Sequence, residues 1–342
     1  MAVITFALTN LNDIEMRTTI ISTVLLLILA PASLAEWSKH PSGSLAWFKT
    51  IAFSDAQTGF IGGSKGIFLR TDDGGETWKP QRKFTSDTIR KIYFTDDRNG
   101  WALCERDIYR LGSDDPSYLM RTENGGKTWT KIEFDEADRR RITSLVFSKR
   151  GFGLAMGEMG TMYALKNDRV TWEKIAPPTR FLMLDGAFAS EFRGALVGGG
   201  GTILFTEDAG VTWSKAAVSK PVRSMLNSVY FVDRNYGWTV GAKGSIYQTV
   251  NGGKYWRLQN TFSNPDLNGV YFKDSANGWA VGDGGVILRT TTGGNVWVED
   301  RSRSRNNLED IQFFYGKGWI VGFGGTLLKY ETGIRNRPKL QR

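Results

Sequence analysis

Any catalysis by this chain would rest on carboxylates, because it holds a single histidine, His40, and a single cysteine, Cys104. One histidine leaves Ser–His or Cys–His nucleophilic chemistry, and a histidine-based zinc site, without the partners they need. Two carboxyl groups across a cleft could still hydrolyse a glycosidic bond, one as acid and the other as base or nucleophile. The candidates are Glu105, Asp107, Glu158, Asp185, Asp283 and Asp310. They form no motif, and no Arg-Ile-Pro segment of sialidase type accompanies them, so no catalytic residue, metal or other cofactor is expected. Arginine is the more informative type. Its planar guanidinium makes forked, charge-assisted bonds to carboxylates, and the chain carries a formal charge of +9. Arg139, Arg140, Arg141, Arg180, Arg223, Arg301, Arg303 and Arg305 stand between apolar runs and are the expected partner-binding set. Arg82, Lys83, Arg90 and Lys220 occupy similar positions. Such a surface suits an acidic partner. Nucleic acid is not expected, because no recognised binding module is present.

What positions these side chains is a repeat. Leu267 to Trp297 contains three apolar runs, each closed by a turn cluster: Lys-Asp-Ser-Ala-Asn-Gly, then Gly-Asp-Gly-Gly, then Thr-Thr-Gly-Gly. Short apolar runs separated by Gly, Asn and Asp read as antiparallel strands joined by hairpins. The closing tryptophan recurs at Trp37, Trp78, Trp129, Trp172, Trp213, Trp256 and Trp297. The first run recurs at 48–55, 89–96, 142–148, 184–190, 226–233 and 308–315. A period in the low forties with four strands per unit is the pattern of a β-propeller; a solenoid would need distinct end caps. The last unit runs to Gly333 without its tryptophan, whereas Trp37 has no strands ahead of it. The chain is therefore read as all-β, a seven-bladed β-propeller of four-stranded antiparallel blades. Trp37–Pro41 closes the ring as the outer strand of the last blade, which removes two open sheet edges. In that fold the blade connectors share a face with the hairpins between strands two and three, which gathers the eight arginines. Arg98, Arg150, Arg193 and Arg234 fall on the opposite face, so an evenly basic, solvated surface is the alternative.

The hairpin between strands three and four reads Thr-Asp-Asp-Gly-Gly-Glu-Thr-Trp at 71–78, with copies at 122–129 and 206–213 and looser ones at 249–256 and 290–297. This is the Asp-box pattern. Asp73 or Asn124 can bond the turn's own N–H groups, and Gly75 and Gly126 permit positive φ. One or two carboxylates per box make a structural role the expectation, not a Ca²⁺ site. The copy at 165–172 keeps only Thr171-Trp172. Blade two is longer than the others by an insertion near Arg106–Pro116, either a partner contact or a neutral loop.

Ahead of the repeat, Met16-Arg17, an apolar stretch and Ser33-Leu-Ala35 read as a secretory signal peptide cleaved after Ala35, with residues 1–15 an upstream extension. There is no cysteine at that site for a lipid anchor. The expected divisions are 1–35 for extension and signal, 36–333 for one propeller, and 334–342 for a basic tail. Cys104, the lone thiol of an exported chain, reads as a small buried hydrophobe.

The repeated GW-x-VG-x-x-G-x-[IL]-x-x-T-x-x-GG-x-x-W, clear at 237–256 and 278–297, and the ending Gly325-Thr-Leu-Leu-Lys-Tyr-Glu331 resemble the photosystem II stability/assembly factor family of cyanobacteria and chloroplasts. The resemblance spans about 37–331. It implies a seven-bladed propeller on the periplasmic or thylakoid-lumen side, acting without catalysis as a monomer. It also implies a role in helping the D1 reaction-centre precursor, a membrane protein, into early photosystem II intermediates. The family's docking surface is an arginine-rich patch, for which Arg301, Arg303, Arg305 and Arg139 to Arg141 are the local candidates. Peripheral contact with the membrane fits that role. An exported glycan-binding or glycoside-hydrolase-like Asp-box propeller, or a generic envelope interaction module, remain the alternatives.

Overall fold

Side-chain polarity grades outward along each repeat, and the strands follow it. In blade 6, Leu267–Phe272, Gly278–Gly282, Ile287–Thr290 and Val298–Asp300 pair antiparallel in chain order. The second strand, Gly-Trp-Ala-Val-Gly, is buried throughout because neighbouring blades cover both its faces. The outer strand exposes Val298 and Glu299 to solvent. A computed structural model describes residues 36–331 of the chain, apart from 108, 110–114, 133, 135–138, 168 and 222. The expected signal segment and basic tail lie outside the described residues.

Seven such sheets are present, and the chain from Trp37 to Glu331 forms one unit. The last sheet runs Glu36–Lys39, Leu327–Glu331, Lys317–Gly322, Leu308–Phe314, so a strand from the start of the repeat region completes the blade at its end. His40 N–H donates to Leu327 O at 2.9 Å. Trp37 is 1% exposed, its ring 5.7 Å from that of Phe313 and 5.1 Å from that of Tyr330. One sheet departs from the four-stranded expectation. Ala217–Val218, in the connector leaving blade 4, pairs parallel to Tyr255–Leu258 and gives blade 5 a fifth strand.

Each Asp-box closes on itself. Thr71 Oγ1 donates to Asp73 Oδ1 at 2.7 Å, and Thr77 N–H and Oγ1–H donate to the same carboxylate at 2.9 and 2.6 Å. Burial works against ionisation of Asp73, but the bonds from Thr71 and Thr77 outweigh it and hold the carboxyl far below its usual range. Gly75, at φ +89°, packs against the previous blade: a Cβ there would lie 2.4 Å from the Trp319 ring. The carboxylate is thus occupied by its own turn, and the box seals the joint between blades. Among the described residues no group of three or more His, Cys, Asp and Glu could hold a metal ion.

The two faces are distinct. Every blade with a described short turn between strands two and three packs that turn on the connector that enters the same blade, as Glu158 N–H on Arg141 O, Gly199 N–H on Leu182 O and Ala242 N–H on Met225 O show. The Asp-boxes instead bond the turns between strands one and two, as Gly74 N–H on Gln57 O and Gly125 N–H on Arg98 O do. The blade-two insertion falls in sequence between Gly100–Glu105 and Ser117–Thr122, and its base, where Arg106 N–H donates to Pro116 O, is on the connector face.

Candidate functional site

All seven first strands carry a β-bulge near their start, between Phe48 and Thr50 in blade 1 and at the equivalent residues elsewhere. A bulge inserts one residue and re-aims the side chains beside it. Here it turns two successive residues per blade toward the central channel at the connector face. Lys49, Arg90, Thr143, Leu184, Asn227, Asn268 and Glu309 come first; Thr50, Lys91, Ser144, Asp185, Ser228 and Asp310 lie one residue deeper, around a cavity of about 260 Å³.

This mouth is cross-linked by charge. Lys91 Nζ donates to Asp185 Oδ1 at 2.5 Å, Ser144 Oγ donates to the same oxygen at 3.2 Å, and Val229 N–H of the next blade donates to Asp185 Oδ2 at 3.1 Å. Burial disfavours the Lys91 ammonium, yet the carboxylate outweighs it and raises the lysine above its ordinary value. Asp310, the blade-7 counterpart of Asp185, accepts Ile51 N–H at 3.1 Å and Ile311 N–H at 2.9 Å but makes no ion pair among the described residues. Burial pushes its carboxyl up to about 6.

The sign of this effect is testable. A carboxyl whose folded value exceeds its unfolded value of 3.8 favours the folded state below that pH, and the advantage fades as pH rises through about 6. Asp310→Asn is therefore expected to flatten the loss of stability between about pH 4 and 6, read as denaturation midpoints across that range. Parallel profiles for the two proteins would refute the assignment.

The six candidate carboxylates are not gathered into one catalytic pair. Asp185 and Asp310 sit in the channel wall with both oxygens engaged. Glu105 takes Arg90 at 3.0 Å and Arg141 at 3.1 Å. Glu158 accepts Arg141 N–H, Asp283 accepts Asn268 Nδ2–H, and Asp107 accepts Tyr109 N–H. His40 is half-buried; burial lowers its pKa, and its Nε2 lies 3.0 Å from Glu76 O. Cys104 is fully buried, and burial pushes its thiol up to about 12, which keeps the thiolate from forming at neutral pH.

All eight candidate arginines lie on the connector face, in four of the connectors. They are not equivalent. Arg141 is tied to Glu105, which also takes Arg90 of the mouth. Arg139 and Arg140 are exposed beside it, and Arg180, Arg223, Arg301, Arg303 and Arg305 are exposed further round. Arg180, Arg223, Arg301 and Arg305 make no ion pair among the described residues. On the Asp-box face Arg150 pairs with Glu191 at 2.6 Å and Arg193 with Glu207 at 3.6 Å, while Arg98 and Arg234 are exposed and make no ion pair among the described residues. Sequence reasoning missed the polar mouth. Its signal was present as pairs of polar residues inside otherwise apolar strands: Lys49-Thr50, Arg90-Lys91, Asn227-Ser228 and Glu309-Asp310.

The profile of the family described as "Photosynthesis system II assembly factor YCF48" matches residues 30–163, 164–258 and 216–299. The photosystem II assembly protein Ycf48 of Synechococcus sp. (strain JA-3-3Ab) is 25% identical over 190 residues, covering 54% of this chain and 53% of that protein. The match thus spans about half the length of that curated relative. A solved structure described as "YCF48 bound to D1 peptide" superposes with a TM-score of 0.69 at 20% identity, covering 88% of this chain and 99% of that one. Virginiamycin B lyase from Staphylococcus aureus superposes with a TM-score of 0.70 at 10% identity, covering 86% and 99%. Likenesses at these identities concern the fold alone, and one of them is to a lyase.

Proposed function

The chain belongs to the YCF48 family of photosystem II assembly factors, and from that premise we propose that it is a non-catalytic, exported scaffold whose connector face docks an acidic segment of a membrane-complex subunit. The partner on this reading is a photosystem II D1 precursor or an analogous membrane protein. It is met in the periplasm or thylakoid lumen once the segment ending at Ala35 has been removed. Arg139, Arg140, Arg180, Arg223, Arg301, Arg303 and Arg305 form the docking rim, and Arg141 holds the rim to the channel wall. The observation that carries the reading is the set of exposed arginines gathered on the connector face, of which Arg180, Arg223, Arg301 and Arg305 make no ion pair among the described residues. A surface arginine already bonded to a carboxylate has little left to offer a partner, whereas an exposed unpaired one gains a charge-assisted bond on docking. The relative solved with a D1 peptide supports the choice of partner class.

The test is binding of an acidic D1-precursor peptide to the full chain, followed by fluorescence anisotropy at several salt concentrations. Reversing Arg301, Arg303 and Arg305 to Glu is expected to weaken binding by roughly tenfold or more, since each reversal replaces attraction worth up to about 1 kcal/mol with repulsion. Affinity should also fall as salt shortens the Debye length to about 8 Å at 0.15 M. Reversing Arg98, Arg193 and Arg234 changes net charge equally and should leave affinity within about twofold. Equal losses in both triple variants would reduce the effect to bulk charge, and no loss in either would sink the docking face.

A further inference from the structure

Blade 3 lacks the device that seals every neighbouring joint. In blades 1 and 2, Thr71 Oγ1 and Thr122 Oγ1 accept the N–H of Gly75 and Gly126, and those glycines press on Trp319 and Phe60 of the preceding blade. In blade 6 the corresponding turn accepts the indole N–H of Trp238 at Gly293 O. The blade-3 turn has Leu165 where those turns have Thr, and Arg169 where they have Gly. Without the hydroxyl the turn closes on itself as a plain hairpin, Lys166 N–H to Thr171 O and Arg169 N–H to Lys166 O. The joint between blades 2 and 3 is left open on the Asp-box face, with a cavity of about 400 Å³ over it.

The chemistry of that cavity is specific. Its floor is aromatic: Trp101 and Phe147 are buried, and the Phe147 ring stacks on Tyr93 at 4.7 Å and on Trp101 at 6.1 Å. Its rim is cationic. Arg121 and Arg150 are paired to Glu123 and Glu191. Lys149 and Arg169 are exposed and make no ion pair among the described residues. Asp96 also lines the cavity, but its carboxylate accepts the N–H groups of Arg98 and Asn99 and the Asn99 side chain, so it is occupied by its own turn. Arg169 is held at φ +58°, a left-handed conformation in which the aligned residues of the other boxes are glycine. Strain kept at a cavity rim is a pointer to function.

From the open joint, its aromatic floor and its unpaired cations, we propose that this cleft is a binding site for a carboxylate carried on an aromatic body, distinct from the connector face and on the opposite side of the propeller. The volume falls within the roughly 300–1,000 Å³ of small-molecule sites. The aromatic body lies against the ring edges of Tyr93, Trp101 and Phe147 that line the cleft, and the carboxylate meets Lys149 and the Arg169 guanidinium at the rim. Two sources share this chemistry: a free aromatic acid, and the aromatic C-terminal residue of a peptide.

Calorimetric titration of the full chain separates them. N-acetyl-L-tryptophan represents the free acid and Ala-Ala-Trp the peptide end, each set against its C-terminal amide. Saturable binding of at least one acid, about tenfold weaker for its amide, is expected. Arg169→Gly should weaken binding by a similar factor while the thermal midpoint stays level or rises, because glycine relieves the left-handed backbone. Rebuilding the box with Leu165→Thr, Asn167→Asp, Asp168→Gly and Arg169→Gly should close the cleft and abolish binding. Neither acid binding at millimolar concentration, acid and amide binding alike, or Arg169→Gly binding as tightly as the original chain would each overturn the proposal. Capture of the acidic D1-precursor peptide should be unaffected by Arg169→Gly, so the failure of one reading leaves the other standing.

Discussion

Deleting residues 36–41 is expected to lower the thermal midpoint by about 5–10 °C, the largest single loss of stability this fold offers. Trp37 is the reason. Its side chain is fully buried among Phe313 and Tyr330, and large aromatic truncations in such places cost about 3–5 kcal/mol. The deletion also takes the hydrogen bonds of a whole strand from Leu327–Glu331, and it turns a closed ring into an open array with a free edge. Trp37→Ala should reproduce much of the effect. Trp37→Phe should cost far less, because the indole N–H has no acceptor among the described residues, so what matters is the ring's volume. The check is differential scanning calorimetry of the three variants. A deletion that melts with the full chain would mean that the ring does not depend on this strand.

The closure was legible because it is a matter of counting: one tryptophan without strands and one set of strands without a tryptophan. The seven-fold architecture was legible for the same reason, since Gly-Trp-x-Val-Gly and its relatives fix strand two in each blade. What the period does not encode is what departs from it. Ala217–Val218 pairs with blade 5 through backbone groups alone, so no side-chain pattern announces it. The bulges were hidden because all seven first strands carry one at the same place, so the extra residue leaves the period unchanged and shows only in register. For the site, face and residue type were readable, but pairing was not. Arg141 and Arg180 are both connector arginines in sequence, yet only Arg141 has Glu105 within reach, and Glu105 reaches it from the end of a different blade's second strand. Such a distinction needs coordinates, because it depends on contacts between residues far apart in the chain. The missing Asp-box of blade 3 was visible as a degenerate motif. That its loss opens a cavity follows only once the intact boxes are seen pressing on the blade before them.

The ion pair at the channel mouth supplies the second large effect. Asp185→Ala is expected to destabilise the chain by about 2–4 kcal/mol, measured by urea unfolding at neutral pH. The substitution strands three donors at once: the Lys91 ammonium, half-buried between blades, the Ser144 hydroxyl, and Val229 N–H, whose acceptor is Asp185 Oδ2. Lys91 keeps some contact with solvent, which holds the figure below that of a fully enclosed pair. Asp185→Asn retains one oxygen, enough for Val229 N–H, and its NH2 can donate to the Ser144 hydroxyl, so it should cost about half as much. Lys91→Met removes the cation but leaves the carboxylate two donors, and should cost about 1 kcal/mol. The decisive comparison is the double variant. If Lys91 and Asp185 act as one linkage across blades 2, 3, 4 and 5, Lys91→Met should recover about 1–2 kcal/mol of the Asp185→Ala loss. Strictly additive losses would mean that Asp185 serves only as an acceptor for backbone N–H groups. Asp185→Ala within about 0.5 kcal/mol of the original chain would mean that the mouth is held by packing alone and its charges are free for a partner.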